Sequence, residues 1–170
     1  MNLARALRAE GGALADAVDG EETPALDGPP QLAASGPRVA DHAEQYELLL
    51  EMIFEGSLLH YGSGRVVRTA DPDLALLLGD QLYALGLSHL AALGDIEAVA
   101  ELADVISLVA QAHAAGNPDL VGAIWEAGAV AIGWGVSQSH ESAKALVRAG
   151  DPDAAPALRH AAREARVAVS

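Results

Sequence analysis

Three times the sequence sets a short polar residue, a proline and an aspartate in a row: Asp71-Pro72-Asp73, Asn117-Pro118-Asp119 and Asp151-Pro152-Asp153. Each triplet is a helix-start signal. The Asp or Asn side chain can accept from backbone N–H groups that a first turn leaves free. Proline at the first helical position gives up a donor that has no partner there, and the acid that follows faces the positive end of the helix dipole. Gly94-Asp95 marks a fourth start, and Gly94, Gly116 and Gly150 are placed as C-terminal stops. The punctuation predicts helices over about 40–60, 72–93, 96–115, 118–149 and 152–168. Apolar residues recur at helical spacing within them, as in Leu74, Leu77, Leu78, Leu82 and Leu85, then Val99, Leu102, Ile106 and Val109. Gly128, Gly133 and Gly135 invite a kink or break in the fourth. Nothing alternates with period two for long enough to make a strand. The expected fold class is all-α, an antiparallel helix bundle.

Composition agrees. Apolar residues make up 51% of the chain but aromatics only 4%, and the apolar mass is mostly Ala, Leu and Val. Ala and Leu are among the residues that lose least on entering a helix. The chain carries 24 acids against 10 bases, a net charge of −14. Such a surface repels phosphate backbones and anionic lipid, so no nucleic acid is expected as a partner. With no cysteine, disulfides, thiolate metal sites and cysteine nucleophiles are excluded, and a cytoplasmic location is expected. The charge-poor stretches Gln81–Gly94, Val105–Pro118 and Ala127–Ser139 are shorter than a membrane span, so no transmembrane helix is expected.

Three regions follow. Residues 1–19 form a helical arm, with Leu3, Leu7, Leu14 and Val18 on roughly one face. Residues 20–38 hold Pro24, Pro29, Pro30 and Pro37, and read as a linker without regular structure. Residues 39–170 form the bundle.

Two runs within Tyr46–Val109 give the chain a recognisable cast. "EMIFEGSLLHYGSG", Glu51 to Gly64, contains Ser57-Leu58-Leu59-His60 at a helix end; "LALLLGDQLYALGLSHLAALGD", Leu74 to Asp95, contains Gly79-Asp80 with Tyr83 after it. These resemble the SLLH and GD helices of the trans-polyprenyl diphosphate synthases. The tail Ala155–Ser170 is similar to the helix leading to that family's second aspartate motif. The likeness covers about half the chain and implies part of the isoprenoid synthase fold. In that family two aspartate-rich motifs hold Mg²⁺, which binds an allylic diphosphate and stabilises it as it leaves.

The chain departs from the family where the chemistry sits. The first motif is replaced by Tyr61-Gly62-Ser63-Gly64-Arg65, without a carboxylate, and no two aspartates are adjacent anywhere. The second motif is expected to be missing as well, since the segment similar to its leading helix runs to Ser170. The family's basic segments find only Ser35-Gly36-Pro37-Arg38 and the nearby Arg65 and Arg68. The resemblance therefore implies a pseudoenzyme with no catalytic residues and no metal. The positions it offers for substrate binding are His60, Arg65, Arg68, Asp80 and Tyr83.

Other clusters have plainer explanations. Glu44, Glu47, Glu51 and Glu55 share a helix face that could hold a divalent ion but reads as a solvated face. The histidines at 42, 60, 89, 113, 140 and 160 form no metal pattern and read as structural. Ser137, Ser139, His140 and Glu141 lack a nucleophile turn. Gly128 and Gly133 would allow another helix to approach closely. Trp125 and Trp134, about 2.5 turns apart, face opposite ways, one for the core and one for a contact surface. These four residues are the expected interface.

The expected function is a non-catalytic accessory or structural subunit, related to polyprenyl synthetases, that binds a protein partner or a second copy through exposed helix faces. The alternative is a prenyl diphosphate-binding subunit of a heteromeric prenyltransferase in isoprenoid or quinone side-chain synthesis, with Mg²⁺ and an isoprenoid lipid as ligands.

Overall fold

The computed structural model describes residues 2–19 and 27–168, and it is all-α. Its helices are α1 (Leu3–Glu10), α2 (Gly12–Asp16), α3 (Pro29–Ala34), α4 (Ala43–Tyr61), α5 (Pro72–Ala92), α6 (Ile96–Ala114), α7 (Pro118–Trp134), α8 (Gln138–Ala149) and α9 (Ala154–Ala168), with a 3-10 helix at Pro37–His42. The starts follow the capping chemistry. Asp71 Oδ1 accepts from the amides of Asp73 (3.0 Å) and Leu74 (3.3 Å), and Asn117 Oδ1 from that of Leu120 (3.0 Å). At the third triplet Asp151 accepts from Asp153, but Pro152 and Asp153 form a turn and the helix begins at Ala154.

Two expected boundaries change. The span 118–149 is two helices, because Gly135 takes φ +100°, a conformation other residues avoid, and Ser137 then caps α8 by accepting from His140 N (3.1 Å). The expected linker is also corrected. Gly20–Leu26 lie outside the described residues, but Pro29–Ala34 and Pro37–His42 are helical. Two successive prolines break a helix in its interior yet fit its first turn, where Pro29 and Pro30 sit.

The chain divides into two compact units. The first takes the described residues up to Gln31 together with Glu44–Asp95. Its core joins Leu3, Leu7 and Leu14 to Met52, Leu59, Val66, Val67, Leu78 and Leu82. The N-terminal helical arm is therefore part of this core. Backbone bonds fasten it further: Asp19 N donates to Val66 O (3.0 Å) and Arg68 N to Ala17 O (2.9 Å), around an antiparallel bridge between Val18 and Val67.

Helices α4 and α5 approach closely in this unit because glycines line their crossing. A Cβ on Gly56 would lie 2.9 Å from Gly79 O, and one on Gly86 would lie 2.6 Å from Ile53 Cγ1. Among the described residues α5 alone is long and apolar enough, by length and composition, to cross a membrane. One of its faces, with Leu78, Leu82, Gly86 and Leu90, packs into the unit as a core helix does.

The second unit takes Leu32–Ala43 and the described residues from Ile96 onward. Helix α7 packs against α6, α9 and the 3-10 helix, and α8 against α9. From Ala123 to Gly133 α7 is buried at almost every position, as an all-apolar helix should be. Arg38 fixes the 3-10 helix, donating to Ile132 O (3.2 Å) and to Glu97 Oε2 (3.3 Å).

Candidate functional site

In the first unit, Ser57–His60 and Gly79–Tyr83 gather where α4 ends against α5. The His60 ring stacks on Tyr83, with centroids 5.1 Å apart and planes 7° from parallel. Its Nε2 lies 3.0 Å from Asp80 Oδ1 but without hydrogen-bond alignment. Gly79 makes room for the imidazole, since a Cβ there would sit 2.8 Å from His60 Cδ2. Burial pushes the Tyr83 hydroxyl up to about 12, against the opposing pull of a hydrogen bond with Ser57. A phenol so held stays neutral at any physiological pH. The SLLH and GD residues thus build a helix crossing, with Asp80 the most exposed member of the group.

Arg65 and Arg68 do not join this group. Arg65 Nη2 lies 2.5 Å from Glu51 Oε2, its Nε donates to Glu55 Oε2 (3.4 Å), and its Cζ sits 5.0 Å above the Phe54 ring. Arg68 points to Asp19 at 4.0 Å, both side chains exposed. Two of the five candidate substrate residues are thus drawn to acids elsewhere in the unit.

The glutamate stripe of α4 is where sequence reading went furthest astray. Glu55 is wholly buried, and its Oε1 accepts from the amides of Val66 (2.6 Å) and Val67 (2.9 Å). The Gln31 amide donates to Glu47 Oε1 (3.2 Å) and Glu51 Oε1 (2.7 Å). Only Glu44 keeps the solvated role expected of the whole stripe. The reason is long-range: the segment after α4 folds back across it and brings backbone donors to Glu55. Gly64 permits the approach, since a Cβ there would meet Val67 O and lie 2.7 Å from Glu55 Oε1.

A second buried cluster lies between α6 and α8 in the second unit. The chain's one lysine, Lys144, is 3% exposed. Its Nζ lies 2.8 Å from Glu101 Oε2, 2.7 Å from Asp104 Oδ2 and 2.7 Å from Glu141 Oε1. His140 Nε2 is 2.6 Å from the other oxygen of Glu101, and Arg148 reaches Asp104 at 2.8 Å. Burial raises Glu101, but hydrogen bonds and charge from His140 and Lys144 outweigh it and hold the carboxyl below its ordinary value. Burial likewise raises Asp104, and Lys144 and Arg148 overcome it. Lys144 is the converse case: burial lowers it, and the surrounding carboxylates lift it above the usual lysine range.

Glu101, Asp104 and Glu141 are close enough together to hold a divalent ion, but the Lys144 ammonium already occupies their focus. Residues 61–65 offer no carboxylate, and Glu51 and Glu55 are bound by guanidinium and backbone N–H. A hard cation needs several free oxygen ligands, and here they are committed to internal donors.

Sequence reading missed the Lys144 cluster. A single lysine at i+4 from a histidine, in a chain otherwise supplied with arginine, was the available signal. The serine–histidine grouping resolves into structural roles: Ser137 caps α8, Ser139 bonds Glu164 (2.9 Å) and His140 pairs with Glu101.

Three of the four expected interface residues, Trp125, Gly128 and Gly133, are buried inside the second unit. Gly128 is buried against α6, where a Cβ would overlap Val105 Cγ2. Gly133 faces Ala33, with a Cβ only 2.5 Å from Ala33 O. Trp125 is 5% exposed, whereas Trp134 is half-buried with Arg166 5.9 Å above its ring. The small residues serve packing inside the unit, because α7 is its central helix. No protein-family model, curated protein or solved structure matches the chain.

Proposed function

We propose that the chain is a non-catalytic, polyprenyl-synthetase-like helical subunit that binds a protein partner through the outer face of α5. One observation carries this reading: α5 is buried on one side, while its other side leaves two adjacent leucines uncovered among polar residues. Leu76 and Leu77 stand 44% and 65% exposed on the other side. Apolar positions of a helix are normally enclosed, as those of α7 are, and exposed ones gain by acquiring a cover. Burying the exposed parts of these two leucines would contribute about 2–3 kcal/mol. The engaged state of the acids supports the non-catalytic half of the proposal, and the absence of cysteine suits a reducing cytoplasm.

The test is a comparison of the tagged full chain with Leu77→Glu, each purified at native expression and analysed by size and mass. The substitution lies at an exposed position, so the fold should be kept, which circular dichroism checks. The wild type should carry a stoichiometric companion and Leu77→Glu should lose it. A wild-type monomer with no companion would overturn the subunit reading. Elongation of an allylic diphosphate by the chain alone with Mg²⁺ would overturn the non-catalytic one. Tight Mg²⁺-dependent diphosphate binding without turnover would instead favour a diphosphate-binding subunit of a heteromeric transferase.

A further inference from the structure

We infer that the occupant of the α5 face is an amphipathic helix whose apolar stripe is flanked by Lys or Arg; this rests on the reading of α5 as a partner surface. The exposed side of α5 has Asp73, Leu76, Leu77, Asp80, Ala84 and Ala91 at helical spacing, with Gln81, Ser88 and His89 exposed beside them. That spacing is the seam a second helix reads, with the leucines at one end and small side chains at the other. Two carboxylates bracket the leucines, and Asp80 is 69% exposed. The helix itself contains neither Lys nor Arg, and none occurs anywhere between Arg68 and Lys144.

Charge then selects among occupants. A second copy of α5 would bring its own aspartates to a helix with neither Lys nor Arg to answer them, so self-pairing lacks a permanent counter-charge. An anionic membrane is repelled for the same reason. A helix with basic flanks supplies both the apolar cover and the missing charge. The carboxylates, placed at the rim of the leucine patch, would then set orientation and encounter rate more than affinity.

Two designed helical peptides test this, identical in their Leu/Ala stripe and differing only in Lys or Glu flanks. Binding to the full chain is followed by fluorescence anisotropy, with neutral phosphatidylcholine vesicles as a third probe. The Lys peptide should bind roughly tenfold more tightly than its Glu twin at low salt. Salt should shrink that ratio, as should Asp73→Asn with Asp80→Asn, while Leu77→Glu should abolish binding of both. Equal binding of the two peptides, lost in Leu77→Glu, would overturn the charge selection and leave the α5 surface standing. Failure of both peptides, or binding indifferent to Leu77→Glu, would overturn the surface itself. Vesicle binding lost in Leu77→Glu, without peptide binding, would make the face a lipid contact and refute the helix.

Discussion

Replacing Glu55 by alanine should nearly unfold the first unit, although sequence alone places this residue on a solvated stripe. Its carboxylate is wholly buried and accepts two backbone amides, from Val66 at 2.6 Å and Val67 at 2.9 Å. A hydrogen bond to a charged group contributes about 1.5–3 kcal/mol, and a buried amide left without an acceptor costs about 1–3 kcal/mol. These two figures describe the same pair of bonds from opposite sides and do not add. Arg65 keeps Glu51, so its charge is not stranded. The expected loss is therefore about 3–5 kcal/mol, a large part of the roughly 5–15 kcal/mol that holds a typical domain together. Glu55→Gln should cost only about 1–2 kcal/mol, because the amide oxygen can still accept from both backbone groups while the charge opposite Arg65 is lost.

Urea titration monitored by circular dichroism gives the two values. Hydrogen exchange resolved to the segment after α4 supplies the local check: the Val66 and Val67 amides should be protected in the wild type and in Glu55→Gln, and exchange rapidly in Glu55→Ala. If Glu55→Ala stayed within about 0.5 kcal/mol of the wild type, or left that exchange unchanged, the carboxylate would not be what holds the segment.

Further outcomes follow from the second unit and from Tyr83. Lys144→Met should cost about 3–5 kcal/mol by stranding Glu101, and adding Glu101→Gln should restore part of it, a coupling that a double-mutant cycle in urea reads directly. With Glu101 and Asp104 held below ordinary carboxylate values, their contribution is intact above a pH of about 4 and disappears as pH falls through the depressed folded values. The raised Lys144 acts oppositely, stabilising below a pH of about 10.4 and ceasing to do so as pH rises through its folded value, which melting temperature against pH should show as a loss at each extreme. An ultraviolet titration of the folded protein should show Tyr83 ionising near 12, and Tyr83→Phe should remove that step. Gly128→Leu should lower the melting temperature through its clash with Val105, at a cost of about 1–3 kcal/mol, and leave the oligomeric state in light scattering unchanged.

Helix identity and most helix ends could be read from the sequence because they are set within a turn or two. Asp71 caps α5 with groups two and three residues away, and Gly150 closes α8 in the left-handed conformation. No distant partner is needed for either. Even the break at Gly135 was signalled by a run of small residues whose preferences are local.

The side-chain clusters could not be read this way. Glu44 and Glu55 look alike along α4, and only the returning segment, with its glycine at 64, makes one a surface acid and the other a buried acceptor. Gly128 looked available to a partner until α6 was found lying on it. Lys144 meets Glu101 across 43 positions, and periodicity carries no information over that span. Local backbone energetics wrote the helices. Which of their polar groups would be solvated and which would be spent on one another was decided by packing, since desolvation depends on what covers a group and not on its neighbours in the chain.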